Sequence, residues 1–227
     1  MRRWSFWVVI AVMIVVNAAT RWFGEPAALA AALLGTVLLL AIARVDDLTF
    51  GDLGLAGRAN SLRGLRWAAV AVGAAALFYA ALALFSPVNG VLQDDRAPTT
   101  LSGLGVRVLI LIPLQTVLWE EVAFRGVLWA IVKRDHGWRV ATAVSSILFG
   151  LWHVLPATSF AHSSGAVSDT LGSGAMATSF TVIGTVVFTA LAGVLLCELR
   201  RRSDSLIAPI GAHWAINGLG VLASFLT

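Results

Sequence analysis

The stretch Leu118-Trp119-Glu120-Glu121-Val122-Ala123-Phe124-Arg125-Gly126 sets two carboxylates and a guanidinium inside an apolar run long enough for a membrane helix. An ionisable group in a spanning helix costs about 2.5–3.5 kcal/mol on insertion scales, so its presence points to a function. The rest of the chain has the same apolar character. Of its 227 residues 59% are hydrophobic and only 12% charged, with a mean hydropathy of +0.87. That balance excludes an ordinary soluble domain.

Working outward, seven apolar runs approach or exceed the roughly 20 residues that cross a bilayer. They cover about 4–21, 27–44, 65–86, 104–133, 138–156, 179–199 and 206–226. The expected fold class is all-α: a polytopic membrane helix bundle of about seven transmembrane helices around an intramembrane polar cavity. Residues 1–103 read as N-terminal scaffold helices, because every candidate chemical group falls within 104–227. Pro113, inside the fourth run, predicts a kink there. The loop 45–64 mixes apolar and charged residues, but Gly51, Gly54, Gly57 and Gly64 argue against a regular interfacial helix. Residues 87–102 and the Ser-, Gly- and Thr-rich 157–178 read as outer loops, the second mobile.

Basic residues orient the bundle. With Met1 inside, 12 of the 16 Lys and Arg fall in inner loops, 3 in outer loops, and 1, Arg125, lies within a span. Short cytoplasmic loops carry such an excess, so the expectation is an integral protein of a bacterial-type plasma membrane, with its N-terminus cytoplasmic and its C-terminus outside. The pI near 10.5 follows from the same loops and reads as topology and contact with membrane lipid, not nucleic acid. Arg2 and Arg3 ahead of the first run resemble a secretory signal, yet the run continues toward Trp22 and Phe23, which favours an uncleaved helix. The single Cys197 offers no intramolecular disulfide and reads as a small packing residue.

Helix geometry separates the two glutamates. Residues four apart share a face, whereas adjacent ones diverge by about 100°. Glu121 and Arg125 therefore form an i, i+4 pair in the favourable order, a structural clamp for charges in lipid. Glu120 is left for chemistry. The same spacing pairs Phe149 with His153 in the fifth run and His213 with Asn217 in the seventh. At 1.5 Å per residue, Glu120 stands roughly 20 Å from Lys133, His153 roughly 21 Å from Arg139, and His213 roughly 16 Å from Arg202, so all three fall near one depth.

A carboxylate beside an imidazole can deprotonate a water, a second imidazole can stabilise developing charge, and an amide can donate to an oxyanion. The reaction class is hydrolysis of an acyl bond. Glu120, His153 and His213 also make up a ligand set known for zinc, although H-E-x-x-H is absent, so a divalent metal and a directly activated water both stay open. No Ser-centred nucleophile elbow occurs. Trp119, Trp152 and Trp214, which flank the polar residues, read as packing; His136 and His162 read as ordinary loop residues. Glu198 reads as a partner of the Arg200-Arg201-Arg202 run.

Glu120-Glu121-x-x-x-Arg125, Phe149-x-x-x-His153, a span with Phe188 and Gly193, and Leu199 through Leu206 leading to His213-x-x-x-Asn217 together resemble the CAAX-protease and bacteriocin-processing (CPBP, Abi) family. The resemblance covers about residues 105–221 and makes 104–227 a catalytic membrane domain. It implies glutamate- or metal-dependent intramembrane hydrolysis of peptide bonds, of the kind shown by type II CAAX prenyl endopeptidases. Carried onto this chain, Glu120 activates the water and His153 assists or ligates a metal. His213 and Asn217 form the oxyanion site, and Glu121, Arg125 and Phe149 support it. The implied partner is a peptide or protein substrate that can be lipid-modified. Rival readings are a non-catalytic immunity or scaffold protein of the same fold, and a transporter with the cluster as an ion path.

Overall fold

The computed structural model describes residues 3–84, 98–163 and 174–226, and among these the chain is helical, with no strand. In lipid, backbone N–H and C=O groups find no water, and a helix satisfies them within its own segment. α1 (Arg3–Trp22) and α2 (Glu25–Val45) form a hairpin, with Pro26 in the first turn of α2, where a missing N–H costs nothing. α3 (Arg58–Leu84) follows a segment of turns. α4 (101–136) folds back into α5 (138–152) at Gly137, whose φ of 77° suits glycine. The return is antiparallel, since Trp129 Nε1 donates to Thr142 Oγ1 at 3.3 Å and Ser145 Oγ donates to the Phe124 carbonyl at 2.9 Å. α6 (Val154–Ser163), α7 (Ala175–Ser203) and α8 (Ile207–Leu226) complete the described chain.

By length and apolar composition, five stretches of the described residues can cross a membrane: Glu25–Val45, Arg58–Leu84, Leu101–Ala161, Ala175–Ser203 and Ile207–Leu226. The third contains the Gly137 return, and Trp4–Thr20 is a shorter apolar helix. The protein is thus an integral, multi-pass helical membrane protein. Its axis is α4, whose residues 119–132 are buried without interruption. Neighbours approach it and one another through small residues, as helices do in lipid. A Cβ on Gly35 of α2 would lie 2.6 Å from the Trp119 ring, and one on Gly150 of α5 would lie 2.7 Å from the Val186 carbonyl of α7.

Several expectations change. The 45–64 loop shortens to turns over residues 46–57, because α3 already begins at Arg58. Its Leu48 and Leu53 are buried in the bundle end, while Phe50 and Leu55 face outward. Arg200, itself buried, crosses this segment: Nη2 donates to the Asp52 carbonyl at 2.9 Å and the guanidinium stacks 5.2 Å from the Trp129 ring. The space it fills is that above Gly54, at φ +75°, where a Cβ would meet it at 2.5 Å. Arg134 pairs with Asp46 at 2.7 Å. Within the turn, hydrogen bonds from the Thr49 hydroxyl and backbone N–H hold the Asp52 carboxyl below its ordinary range. Glu198 pairs with Arg201 and Arg202, whereas Arg200 turns inward to Asp204.

At Pro113, where a kink is expected, the helix widens. The proline sits in a π-helical stretch, Arg107–Val117, whose wider turn accommodates the ring, and Leu118 N–H reaches back five residues to the Pro113 carbonyl. A second π-helical stretch covers Val122–Leu128, so the two glutamates occupy the short α-helical turn Leu118–Glu121 between them. The fifth run is not straight to 156 but breaks at His153, and α6 takes up the start of the expected 157–178 loop, placing His162 in a helix. Of the two expected outer loops, 85–97 and 164–173 lie outside the described residues.

Candidate active site

Adjacent on one helical turn, Glu120 and Glu121 point to different neighbours. Glu121 is fully buried, and its Oε1 accepts from Arg125 Nη1 at 2.9 Å. The same oxygen lies 2.7 Å from His213 Nδ1. A carboxylate only accepts, so His213 donates from Nδ1 and Nε2 is left for the other side of the ring. Arg125, also fully buried, lays its guanidinium 4.0 Å from the centroid of Phe149 and 5.8 Å from that of Phe124. Ring faces and one carboxylate oxygen thereby replace part of the water that a cation loses in lipid, while Arg125 Nε and Nη2 and Glu121 Oε2 have no hydrogen-bond partner.

Phe149 is the hub of this layer. Its ring centroid lies 5.1 Å from Phe124, 4.7 Å from His153 and 5.9 Å from His213, each near-perpendicular. Such edge-to-face packing fixes the two imidazoles against one wall.

Glu120 leaves the helix beside that layer. Trp152 Nε1 donates to its Oε1 at 3.0 Å, while Oε2 lies 3.8 Å from His213 Nε2 and has no hydrogen-bond partner. His213 therefore stands between the two carboxylates, tied to one and facing the other.

His153 occupies the break after α5, at φ −88°, ψ 2°. Its Nδ1 lies 2.8 Å from the Phe149 carbonyl. A carbonyl accepts, so Nδ1 carries the proton and Nε2 keeps its lone pair. Pro156 explains the break: lacking an N–H, it cannot donate to the carbonyl four residues back, that of Trp152. Asn17 Nδ2 of α1 donates to that carbonyl instead, at 3.2 Å.

Glu120, Trp152, His153 and Asn217 line one cavity of about 490 Å³, together with Asn17 and Gln115 among others. Three buried polar atoms of its lining residues, Glu120 Oε2, Gln115 Oε1 and Trp119 Nε1, have no hydrogen-bond partner. A buried polar group left unpaired costs about 1–3 kcal/mol, so these walls suit a polar occupant such as a peptide backbone. The arrangement offers a carboxylate and an imidazole lone pair that can take a proton, and an amide and a second imidazole that can donate one.

The residues singled out from sequence thus fall into two groups. Glu120, His153 and Asn217 line the cavity, and His213 backs Glu120; Glu121, Arg125 and Phe149 form the layer behind. Among the described residues no three of His, Cys, Asp or Glu are already drawn together closely enough to form an ion site. Both Nδ1 atoms and Glu120 Oε1 are engaged within the protein, which leaves Glu120 Oε2 and the two imidazole Nε2 atoms as the donors that a divalent metal would use. Three participants escaped the sequence reading. The Trp152 indole sits in an apolar run as a packing residue does, the Glu121–His213 contact joins residues far apart in the chain, and Asn17 is a lone amide in the first apolar run.

A family model described as type II CAAX prenyl endopeptidase Rce1-like matches residues 101–219. No curated protein and no solved structure gives a match.

Proposed function

The chain belongs to the Rce1-like type II CAAX prenyl endopeptidase family, and from that premise we propose that it hydrolyses peptide bonds of membrane-associated peptides or proteins, with Glu120 as general base. The observation that carries this reading is Glu120, which is tied through Oε1 to Trp152, keeps Oε2 free of hydrogen bonds, and lines one cavity with His153 and Asn217. A substrate carbonyl enters the cavity beside a water. Glu120 Oε2 takes one proton from that water, whose other hydrogen is donated to the lone pair on His153 Nε2, as the water oxygen bonds to the carbonyl carbon. The oxyanion that forms accepts a hydrogen bond from the Asn217 amide and, once its Nε2 carries a proton, from His213, whose Nδ1–H stays donated to Glu121. The carbon–nitrogen bond then breaks as the leaving amine takes its proton from Glu120, which restores the carboxylate. No step is routed through a metal.

The test is a comparison of membrane peptides from cells carrying wild-type protein or Glu120→Gln. A new C-terminus present only with wild type names the substrate and supports hydrolysis. A phenotype that survives Glu120→Gln with no such product overturns it in favour of a binding-only member of the family.

Trp152→Phe keeps an aromatic ring but removes the donor to Glu120. A hydrogen bond to a charged group contributes about 1.5–3 kcal/mol, so kcat is expected to fall about 10- to 100-fold. KM is expected to hold, because the lost contact orients the base and not the substrate. Steady-state kinetics on a synthetic peptide separates the two parameters.

A further inference from the structure

We propose that the cavity is entered from the membrane face opposite the basic loops, so that its substrate is a peptide segment presented outside the cytoplasm. The inference rests on the hydrolytic reading for its substrate, but its geometry stands independently.

The two ends of the bundle differ. One end gathers Lys133, Arg134 and Arg139 at the α4–α5 return with Arg200, Arg201 and Arg202 at the end of α7. The turns 46–57 meet them there, through the Arg134–Asp46 pair and the Arg200 bond to the Asp52 carbonyl. Concentration of Lys and Arg in short loops marks that end as cytoplasmic. It is also closed. Leu53 is fully buried, Arg200 fills the space over Gly54, and Leu206 N–H bonds the Gly54 carbonyl at 2.9 Å.

The cavity belongs to the other end. Thr20 lies in the last turn of α1, Arg107 follows the first turn of α4, and Pro156 lies beyond the end of α5; all three line it. Its rim reaches solvent, where Arg107 pairs with Glu25 at 3.5 Å and the two side chains are 39% and 65% exposed. A protein tail on the cytoplasmic leaflet would meet the sealed end. A peptide outside would meet Arg107, Gln115 and Asn17 before reaching Glu120.

The test uses the full chain in a Cys197→Ser background, since Cys197 is the single native cysteine. Thr20→Cys reports the cavity, Thr99→Cys the exposed start of α4, and Phe50→Cys the exposed cytoplasmic turn. Intact spheroplasts are treated with a membrane-impermeant maleimide before and after lysis. Thr20→Cys and Thr99→Cys are expected to label fully before lysis, and Phe50→Cys only after it. Labelling of Thr20→Cys or Thr99→Cys only after lysis overturns the proposal. Labelling reads position and not turnover, so external labelling combined with no peptide product would sink the hydrolase reading and leave the entry side standing.

Discussion

Glu120→Gln is expected to lower the rate of peptide hydrolysis about 10²- to 10⁴-fold, the range that general-base catalysis contributes. The amide keeps the size of the side chain, and its oxygen still accepts from Trp152 Nε1, so the local packing survives. What disappears is the basic oxygen. Oε2 has no hydrogen-bond partner in the folded protein, and its loss should leave the unfolding temperature unchanged. The measurement is therefore double: kcat on a peptide substrate, and thermal unfolding in the same detergent. A large fall in both would turn Glu120 into a structural residue.

Arg125→Met is expected to do the opposite, removing about 3–5 kcal/mol of stability because one charge of a buried pair is left uncompensated. Glu121 would lose its bond from Nη1, and Phe149 would lose the cation 4.0 Å from its ring. Unfolding in detergent, or the yield of folded protein, reads the loss. Glu121→Gln combined with Arg125→Met should recover part of it, since a neutral pair costs less to bury than an orphaned carboxylate. Activity should stay low in that double variant, because His213 Nδ1 then lacks the carboxylate that orients it.

The sequence made local relations legible and distant ones not. The i, i+4 contact of Glu121 with Arg125 follows from helix geometry alone, and so does the nearness of Phe149 and His153. That His213 lies near Glu120 is consistent with the equal depths of their segments, but depth does not say which way a helix is turned about its axis. Hence the bond from His213 to Glu121 was invisible: it depends on how α8 is rotated against α4. The π-helical stretches around the glutamates were hidden as well, because widening a turn by one residue leaves no mark on apolar composition. Trp152 was passed over for another reason. An indole in an apolar run is usually a packing residue, and only the position of Glu120 reveals that its N–H has an acceptor.

The carbonyl that Pro156 cannot serve has a consequence for how this protein tolerates change. The donor it uses comes from Asn17, far outside the 101–219 stretch by which the family is recognised. Positions 17 and 156 are thus coupled in this chain. Replacing the proline by a residue with an N–H would give that carbonyl a helical donor and lessen the need for Asn17, whereas with the proline in place the loss of Asn17 leaves the carbonyl without its donor. Mutational tolerance in the opening segment is then set by a ring in the fifth apolar run.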